Sequence, residues 1–264
     1  MAYTYTLKQS STTLAKKDIY LCCWGGVGSK SLLRFFRKEI VSKEEYGKIC
    51  HSHFPDVPFL QENYPFESVM PQTMDWDAEK KHFGGNFVPK INQKTKVIYM
   101  FGNPYNAVMS YYRRAHAEGH NWTYIHSLNL RSKYHKHILR GANEGWTVDN
   151  YLNNCLSTKD LISGKKVEKR DLLGLENHFD LWTDAQKEYP ILYINFEDMW
   201  DNLDIIFDFL EINKSLISKF PVKKERYCNW LKTPTNVQEK LIKVYGNLEK
   251  KVSKKPTYIK PPKK

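Results

Sequence analysis

The chain has 264 residues, 41% hydrophobic and 27% charged, which suits one sizeable globular domain with its own core better than two small ones. Forty-one basic against twenty-nine acidic side chains leave a net charge of +12, favouring polyanionic ligands such as nucleic acid, phosphorylated nucleotides or sulfated sugars without choosing among them. Five cysteines, at 22, 23, 50, 155 and 228, are an odd number without C-x-x-C spacing, so neither a disulfide framework nor a zinc site is indicated. The N-terminus lacks a signal-peptide core, and no run approaches the ~20 apolar residues of a membrane span; a cytoplasmic protein with reduced thiols is the expectation.

The first element is an apolar, β-prone run over 19–24, as expected of a buried parallel strand. Gly25-Gly26-Val27-Gly28-Ser29-Lys30-Ser31 follows, and an amphipathic helix is predicted from Ser31 to Ile40. A loop so poor in side chains lets backbone N–H groups approach an anion, and the helix start adds a positive dipole end. Lys30 supplies a charge, Ser29 and Ser31 hydroxyls. The nucleotide-hydrolase pattern G-x-x-x-x-G-K-[ST] is not met, because Ser29 separates Gly28 from Lys30.

Alternation at Ile49, His51 and His53 before Pro55 predicts a short strand ending in a loop. His51 and His53, spaced i, i+2, project to one side and can serve metal binding or proton transfer; a plain, partly exposed loop is the competing reading. Residues 55–95 show no strong period. Asp75, Asp77 and His82 there are weaker alternatives for a base.

Lys96–Phe101 is a second β-rich run, and Gly102-Asn103-Pro104 opens a helix: Pro suits the first helical position and Asn the cap before it. Ser110 lies about two turns into that helix, followed by Arg113 and Arg114. Nothing fixes the structure of 115–145. Helices are expected from 146 to 161 and from 172 to 187, a buried strand at 190–199 running into an acidic turn, and a helix over 202–210. A basic loop with Lys223, Lys224 and Arg226 beside Asn229-Trp230 precedes a closing helix, 235–248. The lysine- and proline-rich end, 251–264, reads as a solvated tail after one domain spanning 1–250. No internal repeat is apparent.

The two strand–loop–helix units and the late Ile191–Met199 strand together resemble the sulfotransferases that use 3′-phosphoadenosine 5′-phosphosulfate, over about residues 18–250. In that family the second unit reads Lys-Val-Ile-Tyr-x-x-Arg-Asn-Pro followed by Ser-Tyr-Tyr, and residues 96–112 follow it almost residue for residue. The spacing of His178 and Trp182 also matches. The resemblance implies an α/β fold with a central parallel sheet flanked by helices, P-loop-like. It implies Gly25 to Ser31 on the sulfate end of the donor, and Asn103, Ser110 and Arg114 on its 3′-phosphate. Lys223, Lys224 and Arg226 would close over it. Lys30 would stabilise the leaving group, and His53, in a setting like the family's Thr-His-Leu-Pro, would take the acceptor's proton, with His51 as the alternative. The donor product would be adenosine 3′,5′-bisphosphate and no metal would be needed, by analogy with phosphoryl transfer whose charge is carried by cationic side chains.

Two departures stand out. Gly26 occupies a place where the family carries Lys or Arg, and Gly102 the place of its 3′-phosphate Arg. Each lost charge-assisted contact is worth roughly 1.5–3 kcal/mol, so other cations must replace them, Lys30, Arg113 and Arg114 being the available ones. A P-loop kinase and an inactive polyanion-binding protein on the same fold remain open. The acceptor is expected to be a small molecule or glycan rather than nucleic acid, and its identity, like the oligomeric state, leaves no sequence signal.

Overall fold

The structure, a computed structural model, describes residues 17–41, 46–61 and 90–263. Its strands are β1 (Lys17–Cys23), β2 (Tyr46–Ser52), β3 (Phe59–Leu60), β4 (Lys90–Ile91), β5 (Lys96–Phe101), β6 (Ile191–Asn195) and β7 (Tyr258–Lys260). The main sheet has the order β2-β1-β5-β6-β7; the first four strands run parallel and β7 pairs antiparallel at the edge. β3 and β4 form a separate parallel pair. The helices are α1 (Ser29–Phe35), α2 (Pro104–Glu118), α3 (Asn121–Asn129), α4 (His135–Asn143), α5 (Val148–Leu156), α6 (Leu175–Asp184), α7 (Leu203–Leu210) and α8 (Thr235–Ser253). This is a mixed α/β fold with a central, mostly parallel sheet flanked by helices, as the family resemblance implies.

Residues 19–23, 97–101 and 191–194 of the central strands are apolar without a break because both faces are covered, as parallel sheets require. Register sorts their side chains. Tyr20 and Cys22 of β1 share a face with Tyr99 of β5 and Tyr193 of β6. α6 covers that face because Leu175, His178, Phe179 and Trp182 recur at helical spacing and are buried. Trp182 stacks on Tyr99 with centroids 4.8 Å apart and planes 5° from parallel, and Phe179 meets Trp24 and Phe101 at 5.7 and 5.3 Å. Such pairs add roughly 0.5–1.5 kcal/mol each beyond the area they bury.

Several elements differ from expectation. The first helix begins at Ser29, and Phe36–Ile40 continues it with π-helical bonding. The unassigned stretch 115–145 holds the end of α2 and all of α3 and α4. α3 buries Thr123, His126 and Ser127, polar residues that leave no hydropathy period. Gly141 of α4 lies under Trp146: a Cβ there would come within 2.2 Å of the indole.

The basic end is not a free tail. α8 runs to Ser253, Asn195 Nδ2 donates to the Lys255 carbonyl at 2.9 Å, and Thr257, buried, donates from Oγ1 to Asp198 at 2.5 Å. Strand pairing follows at Tyr193–Tyr258 and on to Lys260. Charge suggested solvation, whereas backbone pairing with the sheet edge holds the segment in place. Asp75, Asp77 and His82 lie outside the described residues.

Candidate functional site

Beyond Cys23 the chain turns through Gly25, Gly26 and Gly28 at φ +84°, +68° and +76°. Side chains rarely adopt this left-handed region, and there is no room for them. A Cβ on Gly26 would lie 2.9 Å from the Ala107 backbone, and one on Gly28 2.1 Å from the Phe196 ring. Val27, fully buried, anchors the loop. Ser31 N–H donates to the Gly28 carbonyl at 2.9 Å, Ser29 is buried, and Lys30 and Ser31 are exposed on the first turn of α1. Among the described residues no side chain caps that turn.

The second junction adjoins the first. Cys23 pairs with Met100, so β1 and β5 end at the same edge of the sheet. Gly26 packs against Ala107 of α2, and the Cβ position of Gly102 lies 3.3 Å from Val27 Cγ1. Asn103 caps α2 through Oδ1, which accepts the Asn106 N–H at 3.0 Å. Ser110 and Tyr111 lie one turn beyond Ala107 on the same side of α2; Ser110 is buried, and the Tyr111 hydroxyl donates to the Trp24 carbonyl.

Arg226 joins the two junctions. Its Nη1 donates to the Gly26 carbonyl at 3.3 Å, its Nη2 to Glu197 Oε1 at 2.7 Å, and its guanidinium lies 4.1 Å over the Phe196 ring. A Cβ on Gly102 would stand 3.3 Å from the same Nη2. One guanidinium therefore occupies the space beside both Gly26 and Gly102, and its buried Nε has no hydrogen-bond partner among the described residues. Burial lowers its pKa against the opposing pull of Glu197, but a guanidinium stays charged. Glu197 also accepts the Asn103 N–H at 3.2 Å, and Lys223 Nζ donates to the Glu197 carbonyl at 3.2 Å. A carboxylate thus already sits among the donors of the second junction.

Arg113, Arg114 and Lys224 go elsewhere. Arg113 donates from Nε to Cys228 Sγ at 3.1 Å and covers Tyr227, while Arg114 lies 5.5 Å over Trp122. Lys224 is exposed in the basic loop. Arg226, rather than Arg113 or Arg114, stands beside Gly26 and Gly102.

A second cluster lies at the β1–β2 end. Leu21 pairs with His51 and Cys22 with Ser52, so Cys23, His51 and His53 fall on one face. Cys23 Sγ is 3.5 Å from His51 Nε2 and 3.4 Å from His53 Nδ1, and His53 Nδ1 is also 2.7 Å from the Cys23 carbonyl. Burial pushes the Cys23 thiol up, but the His53 charge and hydrogen bonds from both imidazoles outweigh it and bring it well below the ordinary thiol range. Burial opposes and the thiolate favours protonation of His53, whose pKa ends raised. Burial first, then the His53 charge, lowers both His51 and His126. His178 faces the other side of the sheet; its Nδ1 is 3.0 Å from the Tyr99 hydroxyl, and its Nε2 3.2 Å from the His53 carbonyl.

The residue pattern gave both histidines. It missed Glu197, Phe196, Cys23 and His126, which matter only through contacts across strands and loops far apart in sequence.

No family model matches the chain, and no curated protein matches it. Among solved structures, mouse sulfotransferase SULT7A1 complexed with PAP is similar at 13% identity, over 90% of this chain and 88% of that one, with a TM-score of 0.41. A likeness that slight says nothing about activity.

Proposed function

We propose that the chain binds 3′-phosphoadenosine 5′-phosphosulfate across the two adjoining junctions and transfers its sulfuryl group to a hydroxyl or amine of a small molecule or glycan. The observation that carries this reading is Arg226, which touches the Gly26 loop and the Gly102–Asn103 junction with one guanidinium. The match of residues 96–112 to the family's second unit supports it.

The donor would supply an activated sulfuryl group with the adenosine bisphosphate as leaving group. The loop amides of 25–31 and the exposed Lys30 would receive its sulfate end, with Lys30 offsetting charge as the bridging oxygen leaves. Asn103, Ser110 and Arg226 would hold the 3′-phosphate, with Arg114, Lys223 and Lys224 adding positive field around it. His53 would take the acceptor's proton, with His51, whose neutral form burial favours, as the alternative base. Five free cysteines support a reducing, cytoplasmic setting. No described helix is long and apolar enough to cross a membrane.

Calorimetric titration with adenosine 3′,5′-bisphosphate and with ATP tests the reading. Preference for the bisphosphate is expected. Preference for ATP would point to a kinase, and binding of neither would leave a polyanion binder without transfer activity.

A further inference from the structure

We propose that Cys23, His51 and His53 form a binding site for a zinc-type transition-metal ion beside the glycine loop, next to the unpartnered imidazole of His126. Cys23 ends β1, His51 lies in β2 and His53 just beyond its end, and their three donor atoms all lie within 4.8 Å of one another. For Zn–S of about 2.3 Å and Zn–N of about 2.0–2.1 Å, a tetrahedron has sulfur-to-nitrogen edges of roughly 3.5 Å. The two edges found, 3.5 and 3.4 Å, already have that length. One thiolate with two imidazoles is a donor set that suits zinc and its tetrahedral analogues and discriminates against magnesium and calcium, which take oxygen ligands.

His126 is the independent observation. It is 1% exposed, and neither ring nitrogen has a hydrogen-bond partner among the described residues. Its ring lies edge-on to His53 with centroids 5.3 Å apart, and stacks on Tyr111 at 4.5 Å. Buried imidazoles ordinarily find a partner for at least one nitrogen. Here an orphaned imidazole, outside the group of three donors, stands beside one of them, His53, as a polar group that a bound ion or its water could meet.

Without the ion, the His53 Nδ1 N–H donates to the Cys23 carbonyl. Binding requires that nitrogen's lone pair, so the Cys23–His53 pair gives up one proton to solvent as thiolate and neutral imidazoles bond the cation. The site does not rest on the sulfuryl-transfer reading. With the ion bound, Nδ1 of His53 is ligated and Nε2 carries the remaining proton, so metal occupancy and a role for His53 as base exclude each other.

The test is titration of the chelator-stripped full chain with Co²⁺. One equivalent should bind, with a thiolate-to-cobalt charge-transfer band in the near ultraviolet and intense tetrahedral visible bands, all bleached by Zn²⁺. Cys23→Ser should abolish the charge-transfer band, and His51→Gln and His53→Gln should each weaken binding by roughly 100-fold or more, a ligand counting for at least as much as an outer-shell partner. Cys228→Ser, at the part-exposed thiol, should leave the spectrum unchanged. Absence of saturable binding, weak octahedral bands alone, or a charge-transfer band that survives in Cys23→Ser would overturn the site. Should Cys23→Ser not fold, unchanged affinity in both folded histidine variants would do the same. These readouts are independent of nucleotide binding, so they separate failure here from failure of the transferase reading.

Discussion

Replacing Arg226 by Gln removes the one guanidinium that stands beside both Gly26 and Gly102 while keeping a polar side chain of similar reach. A charge-assisted contact to phosphate is worth about 1.5–3 kcal/mol, and each ~1.4 kcal/mol is tenfold in affinity. The dissociation constant for adenosine 3′,5′-bisphosphate should therefore rise roughly 10- to 150-fold, measured by calorimetry at fixed ionic strength. Fold stability should change by no more than about 1 kcal/mol, because the Arg226–Glu197 pair is partly solvated and partly solvated pairs contribute little. Gly102→Arg made in the Arg226→Gln background places a cation where the sulfotransferases it resembles in sequence carry one, in space the native guanidinium no longer fills, and should recover most of the loss. The same Gly102→Arg change in the native background meets Arg226 Nη2, Phe196 and Val27 at once and should gain nothing. Native affinity in Arg226→Gln, with the melting curve unchanged, would refute the reasoning.

Gly28→Ala forces a Cβ into left-handed backbone, costing roughly 1–2 kcal/mol, and into the Phe196 ring, costing roughly another 1–3 kcal/mol as overpacking. Gly164→Ala, at φ +66° with open space around it, should show the backbone cost alone, and equal urea midpoints for the two variants would show that the ring yields freely. Glu211, bonded to Lys17 and Lys96, has its pKa lowered to about 2 by those hydrogen bonds. A depressed folded-state pKa gives stability that is complete above the carboxyl's usual 4.5 and is lost as pH falls toward 2. With Glu211 half exposed, screening reduces the loss to about 1 kcal/mol, and Glu211→Gln should be flatter than the native protein over that window in denaturant titrations. Parallel curves would remove Glu211 from the acid response. Lys30→Ala should cut sulfuryl-transfer turnover roughly 10²- to 10³-fold, and a normal rate would mean another group offsets the leaving charge.

The parts of the fold that were legible in the sequence carry their information locally. Ile19–Trp24 and Lys96–Phe101 are apolar without a break because both faces are buried, and Gly25, Gly26 and Gly28 mark backbone that only glycine tolerates. Asn103-Pro104 announces a helix start by cap chemistry. α3 was illegible because it buries Thr123, His126 and Ser127 instead of aliphatic residues. The end of the chain was misread because its lysines face out while its backbone pairs with β6. The Cys23 cluster depends on register between strands whose partners are about thirty residues apart, and Arg226 reaches Gly26 across 200 positions. Neither distance can be read from spacing in one chain.

Glu197 gives the second junction a property that the positive charges around it conceal. On the proposed reading, an incoming phosphate would trade places with a carboxylate already engaged by Asn103 N–H and Arg226. A monovalent newcomer would gain no charge by the swap, whereas a dianion would, so on the proposed reading the junction would favour ligands by valence before shape. Chloride and carboxylates at cellular levels should be poor competitors there, and an ester phosphate a good one.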